Sequence, residues 1–288
     1  MSNYIYGAGK VGAKMGTRFK EYGEQLDGSV DSFKIGEYVG MPIVKLEDVH
    51  EDDSVVISVL NTNSVLEIYH ILKAHDIKHI YWYYDALQNF DEKRRINFFE
   101  EQCLDLSGWG ELVMPHIELH ISDKCNLNCK GCSHFSPLFD EINAVFENKM
   151  KDIKDIKALF DNIFRIDILG GEPLLNPELK KYVTSLREEL PETFIQIYTN
   201  GILIPTLDDD VLEAIYQANV GISISEYLPT HRIINKITDK LDQFHIRYHI
   251  AEYDSKQLFN TPISINQNSK YSQMCISDGC ITVADGKI

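Results

Sequence analysis

The alternation of strand-like and helix-like segments is the feature that most restricts the fold of this chain. From residue 111 onward, short runs rich in β-branched residues follow one another, separated by segments in which apolar residues recur at helical spacing. Serial β/α units form a parallel sheet or a partial barrel, with functional side chains at the carboxyl ends of the strands. The predicted strands are IELHIS, RIDIL, FIQIYT, VGISIS and RYHIAEY, and the predicted helices span 147–163, 178–188, 209–218 and 230–243.

A separate α/β region is predicted over residues 1–85. Its strands are NYIY, SVVISVL at 54–60 and HIYWYYD, and its helices are Ala13 to Tyr22 and Ser64 to Ala74. Residues 86–110 carry mixed charge and end in the glycine-flanked Trp109, so we interpret them as a connector in which Cys103 is a lone structural thiol. The predicted organisation is a small domain at 1–85, a connector at 86–110 and a barrel domain at 111–288.

The charge and the amino terminus exclude several classes of protein. The 28 basic and 44 acidic residues give a net charge of -16, and the absence of a Lys/Arg block disfavours nucleic-acid binding. The start MSNYIYGAGKVG does not resemble a secretory leader, and no run approaches the roughly 20 apolar residues that span a bilayer. We expect a cytoplasmic protein that binds neither nucleic acid nor membrane.

The segment CNLNCKGC after the strand IELHIS contains three closely spaced cysteines, Cys125, Cys129 and Cys132. Thiolates are soft ligands that suit zinc or iron–sulfur clusters. Three thiolates on a four-iron cube would leave one iron open to another ligand. The alternative is a Cys3His zinc site with His134, although His134 is closer to Cys132 than is usual in zinc motifs.

The cysteine segment, together with GGEPLL at the end of the next strand, resembles the radical S-adenosylmethionine (radical SAM) superfamily. The resemblance covers about residues 112–288 and implies a partial (β/α)6 barrel. It also implies that Cys125, Cys129 and Cys132 hold a [4Fe-4S] cluster whose open iron binds SAM. Such an enzyme reductively cleaves SAM to a 5′-deoxyadenosyl radical, takes its electron from an external donor such as flavodoxin or ferredoxin, and abstracts hydrogen from a small-molecule or peptide substrate.

The resemblance also implies roles for residues at the ends of the other strands. The GGEP segment, Gly170, Gly171, Glu172 and Pro173, would receive the SAM amino group. Asn200 in the segment TNG, and Ser223 and Ser225 on the next strand, would contact the SAM ribose and carboxylate, although hydroxyls at such positions also serve as local caps. Gly131 stands where the superfamily usually has an aromatic residue that touches adenine; Phe135 or His134 would have to substitute.

Two further cysteines, Cys275 and Cys280, lie near the end of the sequence. They resemble the start of the SPASM or twitch extension of some radical SAM proteins, in which similar cysteines begin an auxiliary iron–sulfur site. Two thiolates cannot fill such a cluster. Either a longer form carries the auxiliary cluster, or the two are thiols of the barrel end.

The segment YIYGAGKVG places Gly7, Gly9 and Gly12 between a strand and a helix, and Asp31 follows the probable second strand. This pattern matches the dinucleotide fingerprint, in which glycines permit close phosphate approach and an acid binds ribose hydroxyls. With Gly40–Val44, it also resembles Rossmann-like modules joined to transferases of surface-polysaccharide and nucleotide-sugar pathways. The resemblance implies a nucleotide or nucleotide-sugar ligand, or a purely structural role.

The sequence therefore predicts a Rossmann-like domain followed by a radical SAM barrel. We expect radical chemistry on a sugar, nucleotide-sugar or peptide. The alternative function is a zinc-stabilised nucleotide-binding or regulatory protein without catalysis.

Overall fold

The computed structural model describes residues 2–85, 97–130, 132, 134–141 and 144–251. The chain divides into two compact units, the first comprising Met1–Ala86 and Phe90–Pro115 and the second Leu87–Asn89 and His116–Ile288. Both units have an α/β fold with a mainly or wholly parallel sheet, as the sequence predicts. Among the described residues, no helix is both long and apolar enough to cross a membrane.

The first unit contains one seven-stranded sheet in the order β3-β4-β2-β1-β5-β6-β7. Strands β4, β2, β1, β5 and β6 are parallel, while β3 and β7 run antiparallel to their neighbours at the two edges. The elements are β1 Asn3–Tyr6, α1 Lys10–Glu21, β2 Gly28–Val30, β3 Gly36–Tyr38, β4 Met41–Val44, β5 Ser54–Ile57, α2 Thr62–Ala74, β6 His79–Tyr83, α3 Phe98–Gln102, β7 Cys103–Asp105 and the short β8 Val113–Met114.

The parallel strands of this sheet follow the order of the dinucleotide-binding α/β fold. After β1 the chain passes to β2 on one side, and it later returns to β5 on the other side of β1. The carboxyl ends of β1 and β5 therefore flank the point at which the chain reverses direction across the sheet. Ligands of open α/β sheets bind in the crevice at such a point.

Part of the predicted connector belongs to this sheet. Helix α3 and strand β7 occupy residues within 86–110, and β7 pairs with β6. Phe98 is fully buried and its ring packs edge to face on Phe19, with centroids 4.7 Å apart. Cys103 is a free, buried thiol in the same core. The connector prediction is wrong for residues 98–105. The segment has mixed charge, and its few apolar residues did not indicate the short helix α3 and the edge strand β7.

The second unit contains a five-stranded parallel sheet in the order β14-β13-β12-β11-β9. These five strands coincide with the five predicted from the sequence. The prediction of six β/α units extends past residue 251 and lies outside the described residues. The elements are β9 Ile117–Ser122, α4 Phe146–Lys157, β10 Asn162–Ile163, β11 Arg165–Gly170, α5 Leu179–Glu189, β12 Phe194–Thr199, α6 Asp209–Gln217, β13 Gly221–Ser225, α7 Leu228–His231, α8 Ile234–Gln243 and β14 Tyr248–Ala251.

The two faces of this sheet differ in chemistry. One face is a continuous aliphatic layer of fully buried side chains: Ile117, Leu119, Ile121, Ile166, Ile168, Ile195, Ile197, Ile222 and Ile224. Each such side chain contributes about 1.5–3 kcal/mol by leaving water. Because successive strand residues point to opposite faces, the residues between them form a second face. That second face is mostly polar.

Two helices of the second unit differ from their predicted bounds by more than one residue. Helix α4 ends at Lys157, and the N–H of Leu159 bonds to the carbonyl of Ile156 in a tighter turn. Leu159, which lies within the predicted helix at 147–163, is 64% exposed. The predicted helix at 230–243 is interrupted at residues 232 and 233, which separate α7 from α8.

Candidate active site

The loop after β9 carries the three clustered cysteines at the carboxyl edge of the second sheet. Cys125, Cys129 and Cys132 are half-buried and free. The Cys125 sulfur accepts a hydrogen bond from the N–H of Leu127 at 3.4 Å. The parallel topology brings the carboxyl ends of β11, β12 and β13 to the same edge, and these supply the other residues of the site.

The two glycines at the end of β11 allow this strand to contact the start of the cysteine loop. The N–H of Gly171 donates to the carbonyl of Ser122 at 2.6 Å, and the N–H of Glu172 donates to that of Lys124 at 2.9 Å. A Cβ on Gly170 would lie 2.1 Å from the Ser122 oxygen, and one on Gly171 would lie 2.4 Å from the Lys124 oxygen. Gly170 also has a φ of +150°. Only glycine fits at these positions.

Glu172 is fully buried and its carboxylate is bound by neutral donors. Oε1 accepts from the Thr199 hydroxyl at 2.6 Å and from the N–H of Leu174 at 3.1 Å, and Oε2 accepts from the N–H of Asn200 at 2.9 Å. Burial raises the pKa of Glu172, and these three hydrogen bonds oppose the rise. Among the described residues, no cationic side chain bonds to or shifts this carboxylate.

Asn200, at the end of β12, connects Glu172 to the cysteine loop. Its side-chain amide donates to Asn126 Oδ1 at 2.7 Å and lies 3.9 Å from the Cys125 sulfur. Its carbonyl accepts from the Thr230 hydroxyl at 2.6 Å, and Thr230 is fully buried. One residue therefore fixes the positions of the loop, the buried carboxylate and the start of α7.

The cysteine thiols interact electrostatically with one another. Burial raises the pKa of Cys129, and the neighbouring Cys125 and Cys132 raise it further. Burial raises the pKa of Cys125 as well, with additional contributions from Glu172 and Cys132. Burial, together with all three thiols, raises the pKa of Tyr227 to about 12. Tyr227 is thereby placed near the cysteines, between β13 and α7.

The predicted zinc alternative finds no support in the position of His134. Its ring packs against that of His120, with centroids 5.0 Å apart. Among the described residues, no three His, Cys, Asp or Glu side chains surround a point where a single metal ion could lie. Ligands of a four-iron cluster bind separate iron atoms at different corners, so three thiols can serve such a cluster without converging on one point.

Comparison with known families agrees with this arrangement. The sequence model of the family described as "Radical SAM superfamily" matches residues 119–245, which contain all three cysteines and the GGEP segment. This part of the chain is a radical SAM domain. The match supports an enzyme of the radical SAM class, which implies a [4Fe-4S] cluster and SAM.

Curated relatives match less than half of the chain. GTP 3′,8-cyclase of Helicobacter pylori is 29% identical over 132 residues, covering 44% of this chain and 39% of that protein. GTP 3′,8-cyclase of Clostridium acetobutylicum is 29% identical over 139 residues, covering 45% and 42%. The chain thus spans about two fifths of the length of the curated relatives it matches.

Solved structures also match. Native anSMEcpe with bound AdoMet and Cp18Cys peptide has 18% identity over 47% of this chain and 42% of that chain, with a TM-score of 0.38. Selenomethionine BtrN in an open conformation has 20% identity over 48% and 56%, with a TM-score of 0.32.

The donors of the radical SAM domain fit the groups that its family implies. Three soft sulfur ligands, with no fourth beside them among the described residues, suit a cluster that keeps one iron open. A buried carboxylate that has only neutral donors would gain a counter-ion from the ammonium group of SAM, which is favourable because an uncompensated buried charge is costly. Cys125, Cys129 and Cys132 would hold the cluster, and Glu172 would receive the SAM ammonium.

The other predicted residues either lie on β13 and in the turn after β11 or fall outside the described part. Ser225 ends β13, whereas Ser223 lies mid-strand, where it shares a hydrogen bond with Tyr198. Pro173 begins a short 3-10 turn whose cap is Glu172. Gly131, Cys275 and Cys280 lie outside the described residues, so the adenine contact and the auxiliary cluster stay predictions.

Sequence reasoning missed two residues of this site, Thr230 and Tyr227, and it did not predict that Thr199, in the segment TNG, bonds to Glu172. Thr199 directly precedes the predicted Asn200. Its hydroxyl is a hydrogen-bond donor, and from that donor a contact with Glu172 could have been predicted. Thr230 and Tyr227 both follow β13: Tyr227 precedes the helix predicted at 230–243, and Thr230 is the first residue of that predicted helix. Their importance comes from tertiary contacts with Asn200 and with the cysteine loop, which the local sequence does not encode.

The glycine loop of the first unit borders a cavity of about 560 Å³ at the carboxyl ends of β1 and β5. Gly7, Gly9, Lys10, Asp31 and Lys34 are among its lining residues. Gly7 has a φ of +113°. A Cβ on Gly12 would lie 2.5 Å from the Gly7 oxygen, so this glycine is required for the close approach of α1 to the loop.

Asp31 lies at the predicted place but its carboxylate faces the backbone. Oδ2 accepts from the N–H of Ala8 at 2.8 Å, and Oδ1 accepts from those of Phe33 and Lys34 at 2.9 Å each. These hydrogen bonds hold the pKa of Asp31 below its usual value, although burial opposes them. In the dinucleotide fingerprint this carboxylate binds ribose hydroxyls. Here both of its oxygens accept backbone hydrogen bonds that connect the glycine loop to the loop after β2.

Proposed function

We propose that the second unit reductively cleaves SAM and uses the product for hydrogen abstraction from a sugar, nucleotide-sugar or peptide. When bound, the cluster and SAM supply the chemistry: one electron cleaves SAM to methionine and a 5′-deoxyadenosyl radical, which takes a hydrogen atom from substrate. The observation that supports this most directly is the buried, cation-free Glu172 beside three clustered thiols at the carboxyl edge of a parallel sheet.

The residues of the chain have separate roles in this proposal. Cys125, Cys129 and Cys132 ligate three irons, and the GG segment keeps their loop against β11. Glu172 binds the SAM ammonium, oriented by Thr199 and Asn200. The electron comes from an external donor, a flavodoxin or ferredoxin, for which dithionite can substitute in vitro.

Anaerobic reconstitution with iron and sulfide tests the proposal. We expect a brown protein whose visible absorption bleaches with dithionite and which converts SAM to 5′-deoxyadenosine. Cys129→Ala should abolish this conversion and Cys103→Ala, in the first unit, should not. A colourless protein that holds one zinc per chain would instead support the non-catalytic alternative.

Both tryptophans allow the folding of the first unit to be followed in the same variants. Trp82 and Trp109 are the only tryptophans, both lie in the first unit, and each is at most 3% exposed. Their fluorescence should be unchanged by Cys129→Ala. Formation of 5′-deoxyadenosine by Cys129→Ala at the wild-type rate would refute the ligand assignment.

We further propose that the first unit binds a nucleotide or nucleotide-sugar in its cavity. The cavity lies at the reversal point of the sheet, and a 12-residue helix begins beside the glycine loop. Lys10 and Lys34 line it and supply positive charge for a phosphate. Because both oxygens of Asp31 bond to the backbone, we expect recognition through phosphate rather than through the ribose diol.

Titration calorimetry with UDP, UDP-glucose and NAD⁺ on the full chain tests this second function. We expect Lys10→Ala to weaken UDP binding about tenfold, while Lys20→Ala, at the far end of α1, leaves it unchanged. No measurable binding of any of the three would favour the purely structural role.

A further inference from the structure

The segment that follows the third cysteine buries a serine and exposes its apolar neighbours. Ser136 is 2% exposed, whereas Phe135 is 50% exposed, Leu138 is 79% exposed and Phe139 is 41% exposed. In most proteins serine lies at the surface, and leucine and phenylalanine lie in the interior. The hydrophobic effect therefore does not explain why the side chain of Ser136 is buried.

The hydroxyl of Ser136 has no hydrogen-bond partner among the described residues. Buried hydroxyls are almost always bonded, because a polar group that leaves water without gaining a partner costs free energy. A serine that only stabilised this loop would be expected to bond to the loop itself. A partner that is not part of the chain would account for the position of this hydroxyl.

Hydrogen bonds of the backbone keep Ser136 close to the cysteines. The N–H of Phe135 donates to the carbonyl of Cys132 at 3.1 Å, and the N–H of Phe139 donates to that of Ser136 at 3.1 Å. The first bond closes a turn, whose first and last Cα atoms lie within about 7 Å of each other. Phe135 has a φ of +54°, which is rare for a bulky residue. The backbone of Ser136 is thus held next to the turn that contains Cys132.

The three cysteine sulfurs differ in the donors that contact them. The Cys125 sulfur has the N–H of Leu127 at 3.4 Å and the side-chain amide of Asn200 at 3.9 Å. Within the described part of the chain, no corresponding donor contacts the sulfur of Cys129 or Cys132. The same segment therefore contains sulfurs without a donor and a buried donor without an acceptor.

Hydrogen bonds to sulfur affect how easily an iron–sulfur cluster accepts an electron. An added electron increases the negative charge on the sulfurs. A hydroxyl that donates to one of them stabilises the reduced state more than the oxidised state, and the reduction potential rises. Ser136 has the burial and the free donor that this effect requires.

We propose that the Ser136 hydroxyl donates a hydrogen bond to a sulfur of the iron–sulfur cluster and thereby raises its reduction potential. This inference rests on the proposed radical SAM function, since it concerns the cluster of that function. The electron comes from the external donor or from dithionite, and Ser136 makes its transfer more favourable. Ser136 acts through the cluster and is not itself a catalytic residue.

A redox titration of the reconstituted full chain tests the proposal. Visible absorption and electron paramagnetic resonance would follow the reduction in the absence of SAM. We expect Ser136→Ala to shift the equilibrium at least threefold towards the oxidised state, which lowers the midpoint by about 28 mV, because tenfold corresponds to about 59 mV for one electron. Ser136→Thr keeps the hydroxyl and should keep the wild-type midpoint.

Ser29→Ala is the matched control. Ser29 is also fully buried, and its hydroxyl likewise has no partner among the described residues, but it lies on β2 of the first unit. Its midpoint should equal that of the wild type. Before reconstitution, Ser136→Ala removes an unpaired polar group, so it should leave hydrogen exchange in the second unit unchanged.

A spectroscopic measurement detects the hydrogen bond directly. The hydroxyl proton exchanges with solvent, so the reduced protein in D₂O would carry a deuteron at this position. We expect electron–nuclear double resonance to show a deuteron coupled to the cluster in the wild type that is missing in Ser136→Ala. This signal depends neither on turnover nor on SAM.

The possible failures are distinguishable. An unchanged midpoint in Ser136→Ala at full iron content would overturn the inference and leave the proposed function standing. A weaker affinity for SAM at an unchanged midpoint would also overturn it, because the hydroxyl would then serve SAM. Loss of iron binding in Ser136→Ala would overturn it by showing a structural role. A wild type that holds no cluster would overturn the proposed function and the inference together.

Discussion

The N–H of Gly171 donates a 2.6 Å hydrogen bond to the carbonyl of Ser122. Through this bond and the following one from Glu172 to Lys124, the end of β11 fixes the first residues of the cysteine loop. The two sequence motifs, CNLNCKGC and GGEP, are therefore one structural unit. The glycines allow the contact that places Cys125, as well as the contact that places Glu172.

Gly171→Ala should displace the loop. Its Cβ would lie 2.4 Å from the Lys124 oxygen and 2.6 Å from the Asp123 oxygen, so backbone must move at a cost of about 1–3 kcal/mol. We expect the iron bound after reconstitution to fall at least fivefold. In Gly108→Ala the new Cβ meets nothing within 4 Å, so iron content should stay at the wild-type level. Full iron loading of Gly171→Ala would contradict this explanation.

Glu172→Gln should change how stability depends on pH. Burial raises the folded pKa of Glu172 above the unfolded value, so the folded state binds the extra proton. This proton stabilises the folded state fully at pH values below the unfolded pKa, and the stabilisation is lost as pH rises through the folded pKa. The loss is about 1.4 kcal/mol for each unit by which the folded pKa exceeds the unfolded pKa. Relative to Glu172→Gln, the SAM-free wild type should lose protection as pH rises above the ordinary pKa of a glutamate and through the raised folded pKa.

This effect is measured by hydrogen exchange in peptides that cover β11 and β12. Tryptophan fluorescence would not detect it, because both tryptophans lie in the first unit. SAM should restore the protection of the wild type at pH 8 by supplying its ammonium, and it should not protect Glu172→Gln. If the protection of the wild type and of Glu172→Gln depended on pH in the same way, the Glu172 carboxyl would not ionise in the folded protein.

Arg187→Met should destabilise the second unit by about 2–4 kcal/mol because it leaves main-chain carbonyls unpaired. The guanidinium donates to the carbonyls of Ala218, Leu190, Pro191 and Thr193 at 2.6–3.1 Å. Burial and the neighbouring Arg247 lower the pKa of Arg187 to about 10. Hydrogen exchange in α5 and β12 should rise, whereas Arg232→Met, at an exposed site, should leave it unchanged.

Asp31→Asn should loosen the glycine loop of the first unit. The amide nitrogen cannot accept from a backbone N–H, so at least one of the three bonds from Ala8, Phe33 and Lys34 is lost, at a cost of about 1–3 kcal/mol. Denaturation followed by tryptophan fluorescence should show the loss, with Glu37→Gln on the exposed β3 as the control. If Asp31 instead bound the ribose hydroxyls of a ligand, Asp31→Asn would keep its stability and lose only its affinity for NAD⁺.

The strands of the second unit could be predicted because their apolar runs are short, rich in isoleucine and regularly spaced. The place of the cysteines could be predicted because the carboxyl ends of parallel strands meet at one edge. Helix α3 and strand β7 could not be predicted, because Phe98 is buried by Phe19, a residue far away in the sequence. Asp31 follows the fingerprint in position, and only the structure shows that its oxygens bond to the backbone.

The alternation along the strands of the second sheet has a consequence for how such a domain can change. The aliphatic face stabilises the fold through every second residue, and the polar face uses the residues between them. Substitutions at His120, Tyr198 or Ser223 leave the isoleucine layer intact. Point substitutions on the polar face can therefore accumulate without passing through intermediates that fail to fold.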